Sequence, residues 1–296
     1  MSSLNVLCEV APEAQVDPTA RIDRWCVVGP HVRIGPGTHL RGRVTLTGHT
    51  VIGRDNVIGE GSVIGADPQD LKYRGGLAWL IIGDRNRFGI NVTAHVGTEP
   101  GGRVTHIGSD NEIGDGSHVA HDCYLGDRIR MGRKVLLAGH IVLRAGAVID
   151  DMTGIHHFTQ IGRGAHIGPR TPVTRDVPPF VHYYSEDYYW DPPMVRGIHE
   201  AGIAAAGLGA EEASQLRWAI SELFDSESAL AVMLTRVEQK SPLYPATADL
   251  CRMCRQSLSG LYGRYREQFR NQIPPEASEF LPPWLLEQVQ REAPCR

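Results

Sequence analysis

The chain has 296 residues, a formal net charge of −4 and a pI near 6.3. Its length allows one large domain or a large and a small one, and its acidic balance argues against nucleic acid or an anionic membrane as the main partner. We expect no secretory signal and no membrane span, because the first residues lack a basic and an apolar region and no window approaches roughly 18 uninterrupted apolar residues.

The six cysteines lie at irregular positions. In a chain of this size without a signal peptide, they predict reduced thiols and a cytoplasmic location. Cys251 and Cys254 form a CxxC motif, but it has no second pair and lies in a helical pattern, so we do not expect it to bind zinc.

An aliphatic residue recurs at every sixth position through the first part of the chain. One run extends from Val10 to Ile64, and a second extends from Ile107 to Val173 without a miss. A period of six matches neither a helix nor a simple strand alternation, but it fits a short strand followed by a tight corner. Three such sides close one coil, so the repeat predicts stacked coils that form a three-sided parallel β-helix.

Two segments interrupt this period. Residues 66–80 and 95–106 are rich in glycine, proline and charge, so we expect loops that leave the prism. Loops on a rigid scaffold commonly carry function, although tolerated insertions would have the same pattern.

The prism is predicted to occupy residues 1–182, followed by a tyrosine-rich connector at 183–193. Residues 194–296 are predicted to form an α-helical domain, because apolar residues recur at helical spacing within 209–240 and 246–271. We expect this domain to cap the open end of the prism.

Histidines gather on one face of the predicted prism. Residues 18 apart are vertical neighbours in stacked coils, which brings together His118, His121, His140, His156 and His157. His121 followed by Asp122 has the ingredients of general-base catalysis, since a carboxylate can orient an imidazole and stabilise its protonated form. Neighbours on a strand point to opposite sides, so direct pairing of these two requires a corner. A zinc site shared by neighbouring coils is the alternative.

A set of sequence segments then occurs in a specific order between residues 10 and 180. They are GHTVIGRDN (48–56), PQDLKY (68–73), IGDRNRF (82–88), VGTEPGG (96–102), IGSDN (107–111), HVAHDC (118–123), LAGH (137–140), MTGIHHF (152–158) and DVPPF (176–180). With them the chain resembles the acyl-carrier-protein–UDP-N-acetylglucosamine 3-O-acyltransferases, which open lipid A synthesis. The resemblance implies a left-handed parallel β-helix, a homotrimer with active sites between subunits, an acyl carrier protein as donor and a nucleotide sugar as acceptor. It implies no metal or other cofactor, since a thioester is already an activated acyl group.

The resemblance also implies residue roles. His121 matches the general base, Asp122 its supporting carboxylate, and Gly139 the glycine whose N–H faces the developing oxyanion. Asp70 and Lys72 match residues that hold the substrate. The lining of the sugar and acyl site is matched by His118, His140 and His156, with His157 where glutamine is usual.

Some positions depart from the family pattern downstream of the prism. Met194 stands where the family usually has asparagine, and Glu200 and Ala201 stand where it has arginines that contact the nucleotide sugar and the carrier's phosphopantetheine arm. A glutamate in place of a cation reverses the sign of the local field. These positions leave the identity of the acceptor open.

Other departures concern the acyl group. Pro169 and Arg170 replace part of a glycine-rich segment that limits acyl length in the family, and Asp150 and Asp151 replace small residues near the acyl path. They suggest a shorter or more polar acyl chain. The basic run at 127–134 is suited either to docking an acidic carrier protein or to a solvated rim.

The sequence therefore predicts an acyltransferase that moves an acyl group from a carrier-protein thioester to a hydroxyl of UDP-N-acetylglucosamine or a similar nucleotide sugar. One alternative keeps the reaction with a different acceptor and a short or polar donor in a specialised pathway. Another is a metal-dependent enzyme of the carbonic anhydrase type on the same prism, and a third is a non-catalytic carrier-binding scaffold.

Overall fold

A computed structural model describes residues 7–186, 192–226 and 228–260. The strands of this part are two to five residues long. In chain order they are β1 (Glu9–Val10), β2 (Gln15–Val16), β3 (Arg21–Ile22), β4 (Val27–Val28), β5 (Val32–Ile34), β6 (His39–Leu40), β7 (Thr45–Leu46), β8 (His49–Ile52), β9 (Val57–Ile58), β10 (Val63–Ala66), β11 (Trp79–Ile82), β12 (Arg87–Phe88), β13 (Thr93–His95), β14 (Val104–Ile107), β15 (Glu112–Ile113), β16 (His118–Val119), β17 (Tyr124–Leu125), β18 (Arg130–Met131), β19 (Leu136–Leu137), β20 (Val142–Leu143), β21 (Val148–Ile149), β22 (Gly154–Ile155), β23 (Gln160–Ile161), β24 (His166–Ile167), β25 (Pro172–Val173), β26 (Val181–Tyr184) and β27 (Met194–Ile198).

The strands form the three sides of a prism, and successive strands fall on successive sides. Sheet A has the order β1-β4-β7-β10-β13-β16-β19-β22-β25, and sheet B has the order β2-β5-β8-β11-β14-β17-β20-β23. Sheet C has the order β3-β6-β9-β12-β15-β18-β21-β24-β26-β27. All neighbouring strands are parallel except β26 and β27, which confirms the predicted parallel β-helix.

The six-residue period produces this architecture through burial and register. Val119 pairs with Leu137, which pairs with Ile155, so residues 18 apart lie above one another. Aliphatic side chains of the repeat, such as Leu125 and Ile113, are buried inside the prism. Their removal from water, at about 25 cal/mol per Å² of apolar surface, is the main contribution that stabilises the stacked coils.

Two loops leave the prism where the period is interrupted. They are shorter than predicted: the first covers 67–78 rather than 66–80, and the second covers 96–103 rather than 95–106. The reason is pairing at both ends of each loop: β11 and β14 pair along their whole length in sheet B, and Ala66 of β10 pairs with His95 of β13 in sheet A.

The C-terminal part begins differently from the prediction. The first residues of the predicted helical domain, Met194–Ile198, form β27, which pairs antiparallel with β26 and extends sheet C. The helices follow as α1 (Glu200–Ala205), α2 (Ala210–Phe224), α3 (Leu230–Glu238) and α4 (Pro245–Leu258). Predicted helix beyond residue 260 and the connector residues 187–191 lie outside the described residues. Within the described ranges, no helix has the length and apolar character needed to cross a bilayer.

The CxxC cysteines lie on α4. Cys251 and Cys254 are buried in the apolar core with Leu216 and Leu250. Burial raises the pKa of Cys251 to about 11 and that of Cys254 to about 12. Both groups are therefore protonated thiols at neutral pH and pack as small apolar side chains.

Asp176 links the end of the prism to α4, and burial raises the pKa of its carboxyl to about 6. Asp176 Oδ1 accepts a hydrogen bond from Gln160 N at 2.9 Å, and Ser257 of α4 lies near the carboxyl group. Because the folded chain holds this proton more tightly than the unfolded chain, the stabilisation is complete below about pH 4 and is lost as the pH rises through about 6.

Replacing Asp176 by asparagine is expected to remove this pH dependence. The amide oxygen still accepts from Gln160 N, but the amide does not ionise. The unfolding free energy of the variant minus that of the native chain should therefore be about 1–3 kcal/mol larger at about pH 8 than at about pH 4. Urea unfolding at the two pH values measures the difference. An equal offset between variant and native chain at both pH values would contradict the assignment.

Candidate active site

His121 and Asp122 lie at the corner between β16 and β17. Asp122 has a φ of +58°, which turns the chain so that the two neighbouring side chains meet. His121 Nδ1 and Asp122 Oδ2 are 2.8 Å apart. The corner thus permits the direct pairing that a strand would forbid. Because the carboxylate can only accept, Nδ1 carries the proton and Nε2 has the lone pair needed to act as a base.

The Asp122 carboxylate is held by the second loop. Its side chain is fully buried, and it accepts hydrogen bonds from Thr98 N at 2.8 Å and from Thr98 Oγ1 at 2.6 Å. The backbone N–H of Asp122 donates to Thr105 Oγ1 at 2.8 Å. A Cβ at Gly101 would lie 2.1 Å from the carboxylate carbon, so the loop can close over Asp122 only with glycine there. The loop therefore fixes the carboxylate and, through it, the imidazole.

Gly139 gives the His121 ring its space. A Cβ at position 139 would lie 2.4 Å from His121 Cε1 and 2.7 Å from its Nε2, closer than any real contact. Among the described residues, the Gly139 N–H has no hydrogen-bond acceptor. A backbone donor beside the Nε2 of a base is suited to stabilising an oxyanion that forms there.

His140 supports the pair from the next coil. Its ring stacks on Phe158 with a centroid distance of 4.3 Å and meets the His121 ring edge-on at 5.2 Å. His140 Nε2 lies 3.8 Å from Asp122 Oδ2. Asp122, His140 and Phe158 occupy the same corner of successive coils and all have positive φ, which explains how they form one column.

His118 lies below this column, and burial lowers its pKa to about 4. Its Nδ1 is 2.7 Å from Thr93 Oγ1, and its ring meets that of His95 edge-on at 5.0 Å. His95 is also buried, and this burial lowers its pKa. His118 is therefore a neutral imidazole at neutral pH, available for hydrogen bonding without adding charge.

A groove of about 580 Å³ runs along the outer side of sheet A. His118, His121, His156 and Gly139 line it, and Gln69 of the first loop reaches its wall. Two histidines that were predicted to line the site, His140 and His157, are not among the residues that line this groove. His140 contacts His121 instead, and the His157 ring packs on His156 at 3.9 Å.

The first loop brings Asp70 to the histidines. One ligand atom each of Asp70, His121 and His140 lie within 4.8 Å of one another, a set that could hold a metal ion. Lys72 donates its backbone N–H to Asp70 Oδ1 at 2.9 Å while its side chain is exposed. The structure thus adds Asp70 to the zinc alternative, which the sequence placed on histidines alone.

The predicted acyl-specificity residues lie apart from the groove. Pro169 and Arg170 are exposed in the turn after β24 and are absent from its lining. Asp151 makes a two-point ion pair with Arg133 at 2.7 and 3.0 Å. Asp150 Oδ2 is 3.0 Å from His166 Nε2. The partners of both carboxylates therefore lie on sheet C and on the corner that follows it.

The structure also shows the surroundings of the residues near α1 that depart from the family pattern. Glu200 accepts two hydrogen bonds from Arg217, at 2.7 and 2.8 Å. This pair balances the charge, so the reversal of the local field expected from Glu200 is cancelled by a residue of α2. Met194 is about half exposed on β27, and Ala201 faces a second cavity on sheet C.

Sequence reasoning missed the residues that surround the base. Thr98 and Gly101 lie within VGTEPGG, and Phe158 ends MTGIHHF, both of which carry the family resemblance. These residues were therefore within the segments that carry the resemblance, but no role had been assigned to them. Thr105 lies just outside a motif and had no signal.

Comparison with known proteins agrees with the geometry of the site. The chain is 42% identical over 156 residues to an acyl-[acyl-carrier-protein]–UDP-N-acetylglucosamine O-acyltransferase of Paracoccus denitrificans, and it spans 58% of that protein's length. It is 35% identical over 194 residues to the protein of the same description from an Anaeromyxobacter species, covering 66% of this chain and 74% of the relative. No protein-family model matches the chain.

A solved UDP-N-acetylglucosamine acyltransferase from Francisella novicida superposes with a TM-score of 0.79 at 27% identity, over 93% of this chain and 95% of that one. The fold is therefore a left-handed parallel β-helix with a small helical C-terminal part, as predicted. Together with the histidine corner, this defines the class of hexapeptide-repeat β-helix proteins. Within that class, the chain belongs to the acyl-[acyl-carrier-protein]–UDP-N-acetylglucosamine O-acyltransferase family.

Proposed function

We propose that the protein transfers an acyl group from an acyl-carrier-protein thioester to the 3-hydroxyl of UDP-N-acetylglucosamine. The observation that carries the proposal is the hydrogen-bonded chain from Thr98 through Asp122 to His121, which leaves His121 Nε2 as a base beside an open groove. Membership of the family supports the choice of substrates.

In the proposed reaction, His121 Nε2 takes the proton of the sugar hydroxyl as its oxygen attacks the thioester carbonyl carbon. Asp122 stabilises the imidazolium that forms. The Gly139 N–H donates to the oxyanion of the tetrahedral intermediate. When the intermediate collapses, the C–S bond breaks and the thiolate of the carrier arm takes the proton from the imidazolium, which restores the base.

The remaining site residues serve binding in this proposal. Asp70 and Lys72 hold the sugar at the mouth of the groove. Pro169 and Arg170 lie outside the groove, so in this proposal they limit the acyl chain only where it extends beyond the groove. His118 and His156 line the sugar and the acyl group, and His140 and His157 support that lining through their ring contacts with His121 and His156. No metal or other cofactor takes part, because the thioester supplies the activation.

We also propose a homotrimer in the cytoplasm. Large apolar side chains are exposed along one edge of the prism, the corner between sheets C and A, where Trp25 is 56% and Met152 is 58% exposed. Ile90 lies on the same edge, and Leu136 is exposed beside it on sheet A. Three copies that meet along this edge would bury these side chains and set sheet A of one copy against sheet C of the next.

A direct test is to incubate the purified chain with acyl-carrier-protein thioesters of graded acyl length and UDP-N-acetylglucosamine, and to identify the product by mass spectrometry. We expect an ester on the sugar and free carrier thiol in equal amounts. A thioester that is consumed only with another acceptor would favour the alternative acyltransferase. Activity that is lost with a chelator and restored by zinc would favour the metal-dependent alternative at Asp70, His121 and His140.

A further inference from the structure

A second cavity of about 500 Å³ lies on the outer side of sheet C. Its floor is formed by β15, β18, β21 and β24, and its wall by α1. It shares no lining residue with the His121 groove. The charged residues that line it are three arginines and two acids, Arg128, Arg130, Arg163, Asp110 and Glu112.

The acids neutralise the arginines of this cavity only in part. The Asp110 carboxylate is bound by Arg85 at 2.7 and 2.8 Å, from outside the lining. Glu112 approaches only Arg130, at 4.0 Å. Throughout the described ranges, no carboxylate forms an ion pair with Arg128 or Arg163, although Arg128 is close enough to help lower the pKa of Asp110 after the larger effect of Arg85. The cavity thus has an excess of positive charge.

Arg163 is the arginine of this cavity that lies over an aromatic ring. It is partly buried, and its guanidinium carbon lies 5.8 Å from the centre of the Phe180 ring. An aromatic face holds a guanidinium in place without consuming its hydrogen-bond donors. Arg163 is therefore placed to bind an anion with most of its five N–H groups available.

The opposite wall leaves room for such an anion. Helix α1 presents Ala201, Gly202 and Ala205, with Ala206 after its end. A Cβ at Gly202 would lie 2.3 Å from Gly164 O, so the helix packs directly on the coil at that point. Small side chains on one side therefore leave room for a phosphate group in front of the guanidinium groups on the other.

We propose that this cavity binds a phosphate group of a substrate, an inference that rests on the proposed acyl transfer. The phosphate belongs either to the diphosphate of the nucleotide sugar or to the phosphodiester of the carrier's prosthetic arm. Ala201 stands in the wall, so the positive charge that the resemblance expects at 200 and 201 comes instead from arginines of the β-helix. Glu200 is turned to Arg217 and does not oppose it.

The cavity also lies at the same level along the prism axis as the His121 groove. Strands β15, β18, β21 and β24 belong to the same coils as β16, β19, β22 and β25, whose outer side carries the groove. In the proposed trimer, sheet C of one copy faces sheet A of the next. The arginines of one copy then hold a phosphate whose acyl or sugar end lies in the groove of its neighbour.

The test is calorimetric titration of the full chain with two phosphate-bearing probes, UDP and 4′-phosphopantetheine, and with their phosphate-free counterparts, uridine and pantetheine. Arg163→Gln is expected to lower the affinity for one of the phosphate probes by about tenfold. The affinity for its phosphate-free counterpart should stay within about twofold of the native value. Arg163→Lys should recover part of the loss. The matched control is Arg21→Gln, an exposed arginine near the other end of sheet C.

The probe that is weakened identifies the source of the phosphate. Equal weakening of a probe and its phosphate-free counterpart, unchanged affinity of both phosphate probes in Arg163→Gln, or no binding of either probe to the native chain would overturn the proposal. Binding is measured without turnover. A chain that binds phosphate through Arg163 but transfers no acyl group would therefore overturn the proposed function and not this pocket.

Discussion

Replacing His121 by alanine is expected to lower kcat for acyl transfer by about 10²–10⁴-fold, the usual contribution of a positioned general base. The imidazole is the group whose free Nε2 faces the groove while Nδ1 is bound to Asp122 at 2.8 Å. The lost proton acceptor is needed only as the sugar oxygen attacks, so KM for the sugar nucleotide should change far less than kcat.

The control for this variant is His31→Ala. His31 stacks on His49 at 4.3 Å on sheet B, on another side of the prism from the groove. It tests whether loss of any imidazole impairs the enzyme, and we expect native turnover. Equal melting temperatures for the two variants would exclude unfolding as the cause. If His121→Ala turned over at the native rate, the assignment of the base would be wrong.

Replacing Asp122 by asparagine is expected to lower kcat by at least about 10²-fold and to reduce the unfolding free energy by about 1–3 kcal/mol. The carboxylate accepts from His121 Nδ1 and from both donors of Thr98. An amide that turns its NH₂ to the imidazole forces the proton onto Nε2, which then has no lone pair for the substrate hydroxyl. An amide that keeps its oxygen there turns NH₂ against the Thr98 donors.

The matched control is Asp151→Asn. Asp151 forms an exposed ion pair with Arg133, and the loss of this pair should cost less than about 1 kcal/mol and leave kcat unchanged. Steady-state kinetics and urea unfolding of both variants provide the comparison. An Asp122→Asn enzyme with near-native kcat would show that the carboxylate does not set the tautomer of His121.

Much of the fold could be predicted because its cause is local and periodic. One buried aliphatic residue per six, such as Ile113 or Leu125, specifies both the inward face and the register of each coil. β27 escaped prediction because it is an antiparallel edge strand outside that period, formed because β26 offers an open edge. The loop lengths were overestimated because pairing of β11 with β14 is a contact distant in sequence.

The site was predictable only as far as the coil geometry reaches. The period of 18 brought His118, His121 and His156 to one groove. The period could not predict that Asp122 has a positive φ. This backbone conformation is what allows His121 and Asp122 to pair directly. The period also could not give the path of the second loop, which delivers Thr98 to the carboxylate across 24 positions.

The pairing of base and acceptor can be observed directly in a crystal structure of the complex with UDP-N-acetylglucosamine. The account predicts the sugar 3-hydroxyl within about 2.6–3.2 Å of His121 Nε2, with the sugar in the groove between Asp70 and His156. A complex whose 3-hydroxyl lies beyond reach of His121, or in which a metal ion occupies the space between Asp70, His121 and His140, would contradict it.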